Sequence, residues 1–229
     1  MSGVIDNYKT VLGRVGAACK AAGRGENEVT VLPVIKYAAN EDILTLLDFL
    51  GGKARAAESR LQDAQKRWES PQFKALRPRV TLHYIGTLQS NKIAKIINFF
   101  DFIDSVPDIK TARRIDALAG KPVNCLAQIK LTERDTQGGA SLKDAPALIA
   151  EIKALKNINP RGLMAIAPQT EDETILRPLF KAVKNIFDKE FGGRPGTYLS
   201  LGMSGDLETA VEEGSTLPRV GSSIFGEKQ

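Results

Sequence analysis

The sequence has few of the side chains from which metal centres and disulfides are built. Its 229 residues include one histidine, His83, and two cysteines, Cys19 and Cys125. The two cysteines lie far apart in the chain, and their positions show none of the paired spacings of metal ligands. The composition therefore argues against a His/Cys metal site and against a disulfide framework. Both cysteines are predicted to be reduced thiols in the core of a cytosolic protein.

The sequence also lacks runs of basic residues and long apolar segments. Its formal net charge is +5, a mild excess that favours attraction of an anionic small molecule but is a weak sign of nucleic-acid binding. No window approaches the ~18 consecutive apolar residues of a membrane-spanning helix. The opening "MSGVIDNYKT" lacks the pattern of a signal peptide. We therefore expect a soluble, cytoplasmic protein that binds neither nucleic acid nor membrane.

The sequence does contain a regular alternation of strand-like and helix-like segments. A helix-like opening covers residues 2–22. Eight strand candidates follow, at residues 29–36, 53–58, 79–86, 100–106, 123–131, 161–166, 197–202 and 216–223. Helical patterns lie between them, at about residues 41–50, 60–70, 89–98, 108–119, 143–156, 171–190 and 206–213.

This alternation predicts an α/β protein with a parallel sheet. A closed (β/α)8 (TIM) barrel with an extra N-terminal helix, formed as a single domain by residues 1–229, fits the count and the length. An open doubly wound sheet is the alternative, because the sequence alone does not prove closure. Pro33 is an irregularity inside the first strand, since proline removes one hydrogen-bond donor from the ladder.

Polar residues at the carboxyl ends of the strands are the candidates for function, because barrel active sites gather there. Lys36 ends the first strand candidate. It is either a solvent-facing lysine or an amine that forms a Schiff base with a carbonyl compound. The second role requires desolvation or a neighbouring cation, and Arg219 in the eighth strand candidate is such a cation.

Two turns rich in glycine and serine accompany the last two strand candidates. They read "SLGMSGD", residues 200–206, and "RVGSS", residues 219–223. Glycine lets the backbone approach an anion closely, and serine adds hydroxyl donors. Each turn alone also fits an ordinary tight turn with a capping serine. Their position on strands seven and eight favours a phosphate site, because the phosphate sites of barrels often lie there.

Four stretches closely resemble the pyridoxal phosphate (PLP) homeostasis proteins of the YggS/PROSC type. They are "HYIGTLQSNK", "RGLMAIAP", "SLGMSGDLETAVEEGST" and "RVGSSIFG", and the resemblance covers essentially the whole chain in order. It implies an alanine-racemase-like barrel that binds PLP through a Schiff base on Lys36. It implies that Arg219 faces the pyridine nitrogen of the cofactor. The implied phosphate ligands are Ser200, Ser204, Gly221 and Ser222.

Three further residues complete the predicted cofactor site: Ser59, His83 and Met203. Ser59 stands where the family usually has the asparagine of Gly-Glu-Asn, and we expect it to replace that contact in part. A lone histidine such as His83 is more often structural than catalytic. Two more positions depart from the family: Gln137 replaces a lysine in the loop after strand five, and Tyr37 replaces a small or polar residue.

The implied arginine at the ring nitrogen suits a racemase that must avoid side reactions, and it also suits a carrier of PLP that does little chemistry. Arginine stays protonated and does not readily give a proton to the ring, which therefore remains a weak electron sink. The alanine racemases that this fold resembles take a second base from a separate C-terminal domain, for which this chain has no room. We therefore expect a monomer that binds PLP reversibly and helps to maintain the pools of PLP and of amino or keto acids.

Two alternative functions stay open. One is a PLP-dependent amino-acid racemase with weak activity, for which Tyr84 and His83 are the candidate second bases. Tyr37 is not among them, because neighbouring side chains on a strand point to opposite faces. The other alternative is a barrel enzyme that uses Lys36 as an aldolase-type Schiff-base lysine without PLP.

Overall fold

The computed structural model describes residues 3–132, 138–192 and 194–226. Eight strands alternate with helices along these residues. The strands are β1 (Leu32–Pro33), β2 (Ala54–Glu58), β3 (Val80–Tyr84), β4 (Phe102–Val106), β5 (Val123–Lys130), β6 (Ile158–Ile166), β7 (Tyr198–Ser200) and β8 (Arg219–Val220). The helices are α1 (Val4–Ala21), α2 (Asn40–Leu50), α3 (Leu61–Trp68), α4 (Pro71–Leu76), α5 (Ile93–Phe99), α6 (Ile109–Leu118), α7 (Ala145–Lys153), α8 (Glu173–Phe191), α9 (Leu207–Glu212) and α10 (Ser222–Phe225).

Backbone hydrogen bonds connect all eight strands into a closed ring. Strands β2 to β7 pair in parallel with their neighbours in chain order, and β1 pairs in parallel with β8. The amide of Ile35 donates to Ala57 O at 3.0 Å and joins β1 to β2, while the amide of Arg219 donates to Gly202 O at 2.9 Å and joins β8 to the end of β7. The predicted (β/α)8 barrel is confirmed, and the open sheet is excluded.

Pro33 fits into β1 because of the alternation of amide directions along a strand. The amides of Leu32 and Val34 both donate to β8 or its flank, to Pro218 O and Val220 O at 2.8 Å each. Pro33, between them, directs its nitrogen towards β2, as Ile35 does with its amide. Proline at position 33 therefore removes no hydrogen bond from the pairing with β8.

The helices cover the barrel with apolar faces at helical spacing. In α8, for example, the buried residues are Leu176, Phe180, Val183, Phe187 and Phe191. The helix begins where Asp172 accepts a hydrogen bond from the amide of Thr174 at 2.9 Å, as expected of an N-cap aspartate. Within the residues described, no helix combines the length and the apolar composition needed to cross a membrane.

The extra N-terminal helix packs over the last quarter of the barrel. The apolar face of α1 contacts Leu207 and Val211 of α9, Val220 of β8 and Ile224 of α10. The N-terminal helix was predicted, whereas α4 and α10 were not. Helix α10 lies where the eighth strand was expected to continue, because the chain turns at Gly221 directly after two residues of β8.

Candidate functional site

A cavity of about 1580 Å3 opens at the carboxyl ends of the strands. Residues from loops after β1, β3, β4, β5, β6, β7 and β8 line it. Six of the nine residues predicted for the cofactor site are among them: Lys36, Met203, Ser204, Arg219, Gly221 and Ser222. The tertiary structure thus brings the amine of Lys36 together with a guanidinium and two loops that lie more than 160 positions later in the sequence.

Lys36 and Tyr37 lie side by side on the cavity wall. Lys36 is partly buried, and its Nζ lies 5.1 Å from the centroid of the Tyr37 ring. The guanidinium of Arg60 lies 5.5 Å from the same centroid, so cations flank the ring. The expectation that Tyr37 points away from Lys36 is wrong. Strand β1 ends at Pro33, and both residues belong to a turn, where strand alternation no longer applies.

Arg219 is held rigidly by hydrogen bonds beside the cavity. Its Nη1 donates to Ser200 O at 2.7 Å and to Ser200 Oγ at 2.9 Å, and its Nη2 donates to Ala165 O at 2.9 Å. Burial lowers the pKa of Arg219, while the carboxylates of Asp104 and Asp206 act in the opposite direction. The side chain is therefore a fixed cation that can donate hydrogen bonds but accept none.

Ser200 has a different place from the one predicted for a phosphate ligand. Its side chain is fully buried and is not among the described residues that line the cavity. Its hydroxyl donates to Leu217 O at 2.9 Å and accepts the bond from Arg219. Ser200 consequently positions Arg219, because a hydroxyl with both partners inside the wall is not directed at a ligand.

His83 is likewise not among the described residues that line the cavity. Its ring is fully buried and stacks on Phe102 at 4.6 Å between centroids. Arg55 Nη1 lies 2.9 Å from His83 Nε2, and because arginine only donates, Nε2 is the acceptor. The proton is therefore on Nδ1, which donates to the Asp104 carboxylate at 2.9 Å. The imidazole is a neutral link between Arg55 and Asp104, which is the structural role expected of a lone histidine.

Ser59, directly after β2, is the third predicted residue that is not among the described residues lining the cavity. Its carbonyl oxygen approaches Gly86 so closely that a Cβ at position 86 would come within 2.1 Å of it. Gln137 lies outside the described residues.

The two turns of glycine and serine are joined to each other at the cavity. The amide of Ser223, after β8, donates to Ser204 Oγ, after β7, at 3.3 Å. Asp206 Oδ1 accepts the amide of Met203 at 2.6 Å and closes the first turn. Burial raises the pKa of Asp206, and the hydrogen bond from Met203 and the charge of Arg219 oppose that shift. The result is one continuous edge of glycines and hydroxyls along the cavity.

Sequence reasoning missed two polar side chains that line the cavity from β4 and β5. Ser105 Oγ donates to Gly86 O at 2.6 Å, and Gln128 Nε2 donates to Gly138 O at 2.7 Å. Both lie near the carboxyl ends of their strands, so the same strand-end rule would have found them. Among the described residues, no group of three or more His, Cys, Asp and Glu side chains is placed to hold a metal ion.

The family model described as "Alanine racemase, N-terminal domain" matches residues 17–229. A pyridoxal phosphate homeostasis protein of Pseudomonas aeruginosa is 32% identical over an alignment of 232 residues, which covers 100% of this chain and 97% of the relative. The chain belongs to this family. The family member with the same name in Escherichia coli K12 is 30% identical and is covered to 98% of its length.

Solved structures of similar proteins have the same fold. A protein of unknown function from Bifidobacterium adolescentis has a TM-score of 0.86 and 31% identity, with 97% of this chain and 94% of that chain covered. PipY of Synechococcus elongatus with PLP bound has a TM-score of 0.76 and 28% identity, with 94% and 100% covered. Alanine racemase of Clostridium difficile, at 14% identity and a TM-score of 0.72, shares the fold over 97% of this chain and 57% of that one.

Proposed function

We propose that this protein binds PLP reversibly in the cavity and takes part in PLP homeostasis inside the cell. The observation that carries the proposal is the meeting of the Lys36 amine, the Arg219 guanidinium and the two joined turns in one cavity. These groups match the three functional parts of PLP, which are an aldehyde, a ring nitrogen and a phosphate. The names of the full-length relatives and the PLP bound to PipY support the proposal.

Each part of the cavity has a task in this proposal. Lys36 would hold the aldehyde carbon of PLP as a Schiff base, with the release of one water molecule. Arg219 would face the ring nitrogen, and the phosphate would be bound by backbone amides and hydroxyls of Ser204, Gly221 and Ser222. Met203 would border the cofactor at the rim. When bound, PLP supplies an electrophilic carbon and an electron-withdrawing ring.

The fixed position of Arg219 supports a carrier over a strong catalyst. Its two terminal nitrogens are held by carbonyl oxygens of Ser200 and Ala165, so the side chain would keep its place beside the ring nitrogen of a bound PLP, because any movement would break buried hydrogen bonds. An arginine donates a hydrogen bond to that nitrogen but keeps its proton. The ring is then left as a weak electron sink, which suits a protein that stores and releases PLP.

One observation favours racemase activity as a second candidate. Racemisation requires an acid–base group on each side of the reacting carbon, and the phenol of Tyr37 lies on the cavity wall next to Lys36. Tyr37 therefore takes the place of Tyr84 as the candidate second base, because Tyr84 is buried, is not among the described residues that line the cavity, and donates its hydroxyl to Thr87 O at 3.1 Å. His83 is not a candidate, because its two ring nitrogens are already engaged with Arg55 and Asp104.

The carrier proposal is tested by titrating PLP into the purified, PLP-free protein. We expect a visible Schiff-base absorption band that saturates at one PLP per chain, and borohydride should then fix the cofactor covalently. The absence of both the band and the fixed cofactor would contradict the proposal. Borohydride trapping of a carbonyl substrate in the absence of any PLP would favour the aldolase-type alternative.

Carrier and racemase are separated by incubating the PLP-loaded protein with L-alanine or L-serine and resolving the products by chiral chromatography. We expect no accumulation of the D-form beyond that produced by free PLP. Steady accumulation that is lost in Tyr37→Phe would establish the racemase and identify its second base. Free PLP at the same concentration is the control for the uncatalysed reaction.

Several finer points of the proposal stay predictions. They are a single domain, a monomer, a cytoplasmic location and an amino or keto acid as a second ligand. The cavity supports the last of these, because its volume of about 1580 Å3 exceeds the ~300–1,000 Å3 typical of pockets for drug-sized ligands. Light scattering during size-exclusion chromatography measures the oligomeric state directly.

A further inference from the structure

Arg14 of the N-terminal helix α1 connects that helix to both turns of the proposed phosphate site. Its Nη2 donates to Ser204 O, after β7, at 3.0 Å, and its Nη1 donates to Ser223 Oγ, after β8, at 3.3 Å. The same guanidinium forms a bidentate ion pair with Glu208 of α9, at 2.6 and 2.7 Å. One side chain thus holds three segments that are separated from it by 190 or more positions.

The ion pair shows that Arg14 acts through these segments and not as a ligand itself. Arg14 is not among the described residues that line the cavity, and the Glu208 carboxylate offsets its charge. The hydrogen bond from Arg14 lowers the pKa of Glu208, and the bond to Glu208 raises the pKa of Arg14. Both groups therefore stay charged in the neutral pH range, and the bidentate fork keeps its orientation.

The hydrogen bond to Ser204 O sets the direction of the next amide. In a trans peptide the C=O and N–H groups point in opposite directions, and the described backbone contains no cis peptide. Since Ser204 O points towards Arg14, the amide of Gly205 points away from Arg14. Gly205 itself lines the cavity, where an unhindered amide is a donor for an anion.

We propose that Arg14 is a positioning residue for the anion-binding turns, through which α1 gives the cavity its preference for a phosphorylated aldehyde. This inference rests on the proposed function, since it concerns the phosphate of the PLP bound there. It assigns the extra helix a role in ligand selection in addition to its packing on α9, β8 and α10.

The test compares the affinities of PLP and of pyridoxal, which lacks the phosphate, for the full chain and its variants. For Arg14→Gln we expect the PLP affinity to fall about tenfold, as for the loss of one charge-assisted contact. The pyridoxal affinity should change less than about twofold, because pyridoxal has no phosphate for the turns to bind. Arg14→Lys keeps the positive charge but not the bidentate geometry of the guanidinium, and we expect an intermediate loss of PLP affinity. Circular dichroism and urea unfolding check that each variant is folded.

Arg24→Gln is the matched control. Arg24 follows α1 and donates to Val211 O and Ser215 O at the other end of α9, without contact to either turn. We expect it to leave the ratio of the two affinities unchanged. The inference is overturned if Arg14→Gln keeps the preference for PLP, or if it weakens both aldehydes equally. If the unaltered protein binds neither aldehyde, the proposed function fails and the inference fails with it.

Discussion

Replacing Lys36 with alanine is expected to abolish the Schiff base completely. The absorption band should not form when PLP is added, and borohydride should leave no cofactor on the protein. The reason is that Lys36 presents its amine on the wall of the cavity that Arg219 also lines, next to the Tyr37 ring. Visible spectroscopy and mass spectrometry of the reduced protein measure both effects.

The same variant separates covalent from non-covalent binding. The turns at Ser204 and Gly221 and the guanidinium of Arg219 are unchanged in Lys36→Ala, so we expect weaker binding of PLP to persist without the band. Lys20→Ala, on the exposed side of α1, is the matched control and should retain the full band. A band of full strength in Lys36→Ala would place the Schiff base on another lysine and refute the assignment.

Asp104→Asn is expected to lower the free energy of unfolding by about 1–3 kcal/mol, because a buried hydrogen bond to a charged group is weakened. Asp104 is fully buried and accepts the Nδ1–H of His83 at 2.9 Å. Its carboxylate is also one of the two charges that favour the protonated form of the buried Arg219. An asparagine of the same shape keeps one acceptor but leaves the buried guanidinium of Arg219 without this counter-charge.

Urea unfolding followed by circular dichroism measures the effect of Asp104→Asn. Glu151→Gln is the control, because Glu151 pairs with Arg113 on the surface, where such pairs contribute about 1 kcal/mol or less. A loss for Asp104→Asn no larger than for Glu151→Gln would show that the buried chain from Arg55 through His83 to Asp104 adds little stability. We also expect Asp104→Asn to weaken PLP binding, because Arg219 then loses part of its fixed environment.

Much of the site could be predicted because barrels follow a simple rule. The alternation of strands and helices indicated where each strand ends, and all carboxyl ends of a parallel barrel meet at one rim. Lys36, Ser204, Arg219, Gly221 and Ser222 were therefore correctly expected to meet, and the structure places them around one cavity.

The errors concern the direction of side chains near strand ends. Ser200 was expected to reach a ligand, but the last residue of β7 turns its hydroxyl into the wall towards Arg219 and Leu217. Tyr37 was expected to point away from Lys36, but the strand had already ended at Pro33, three residues before Lys36. The alternation of side chains stops where a strand ends, and sequence patterns do not locate that end to within one or two residues.

The sequence by itself determined the fold class, the order of its elements, the family and the chemical types gathered at the rim, because periodicity and motifs are local properties of the chain. Only the tertiary structure decided which polar groups face the cavity and which are hydrogen-bonded to other protein groups inside its wall. It also revealed the hydrogen bonds from Arg14 to turns 190 or more residues away. Such contacts depend on how a helix packs across the barrel, and no pattern of neighbouring residues records that packing.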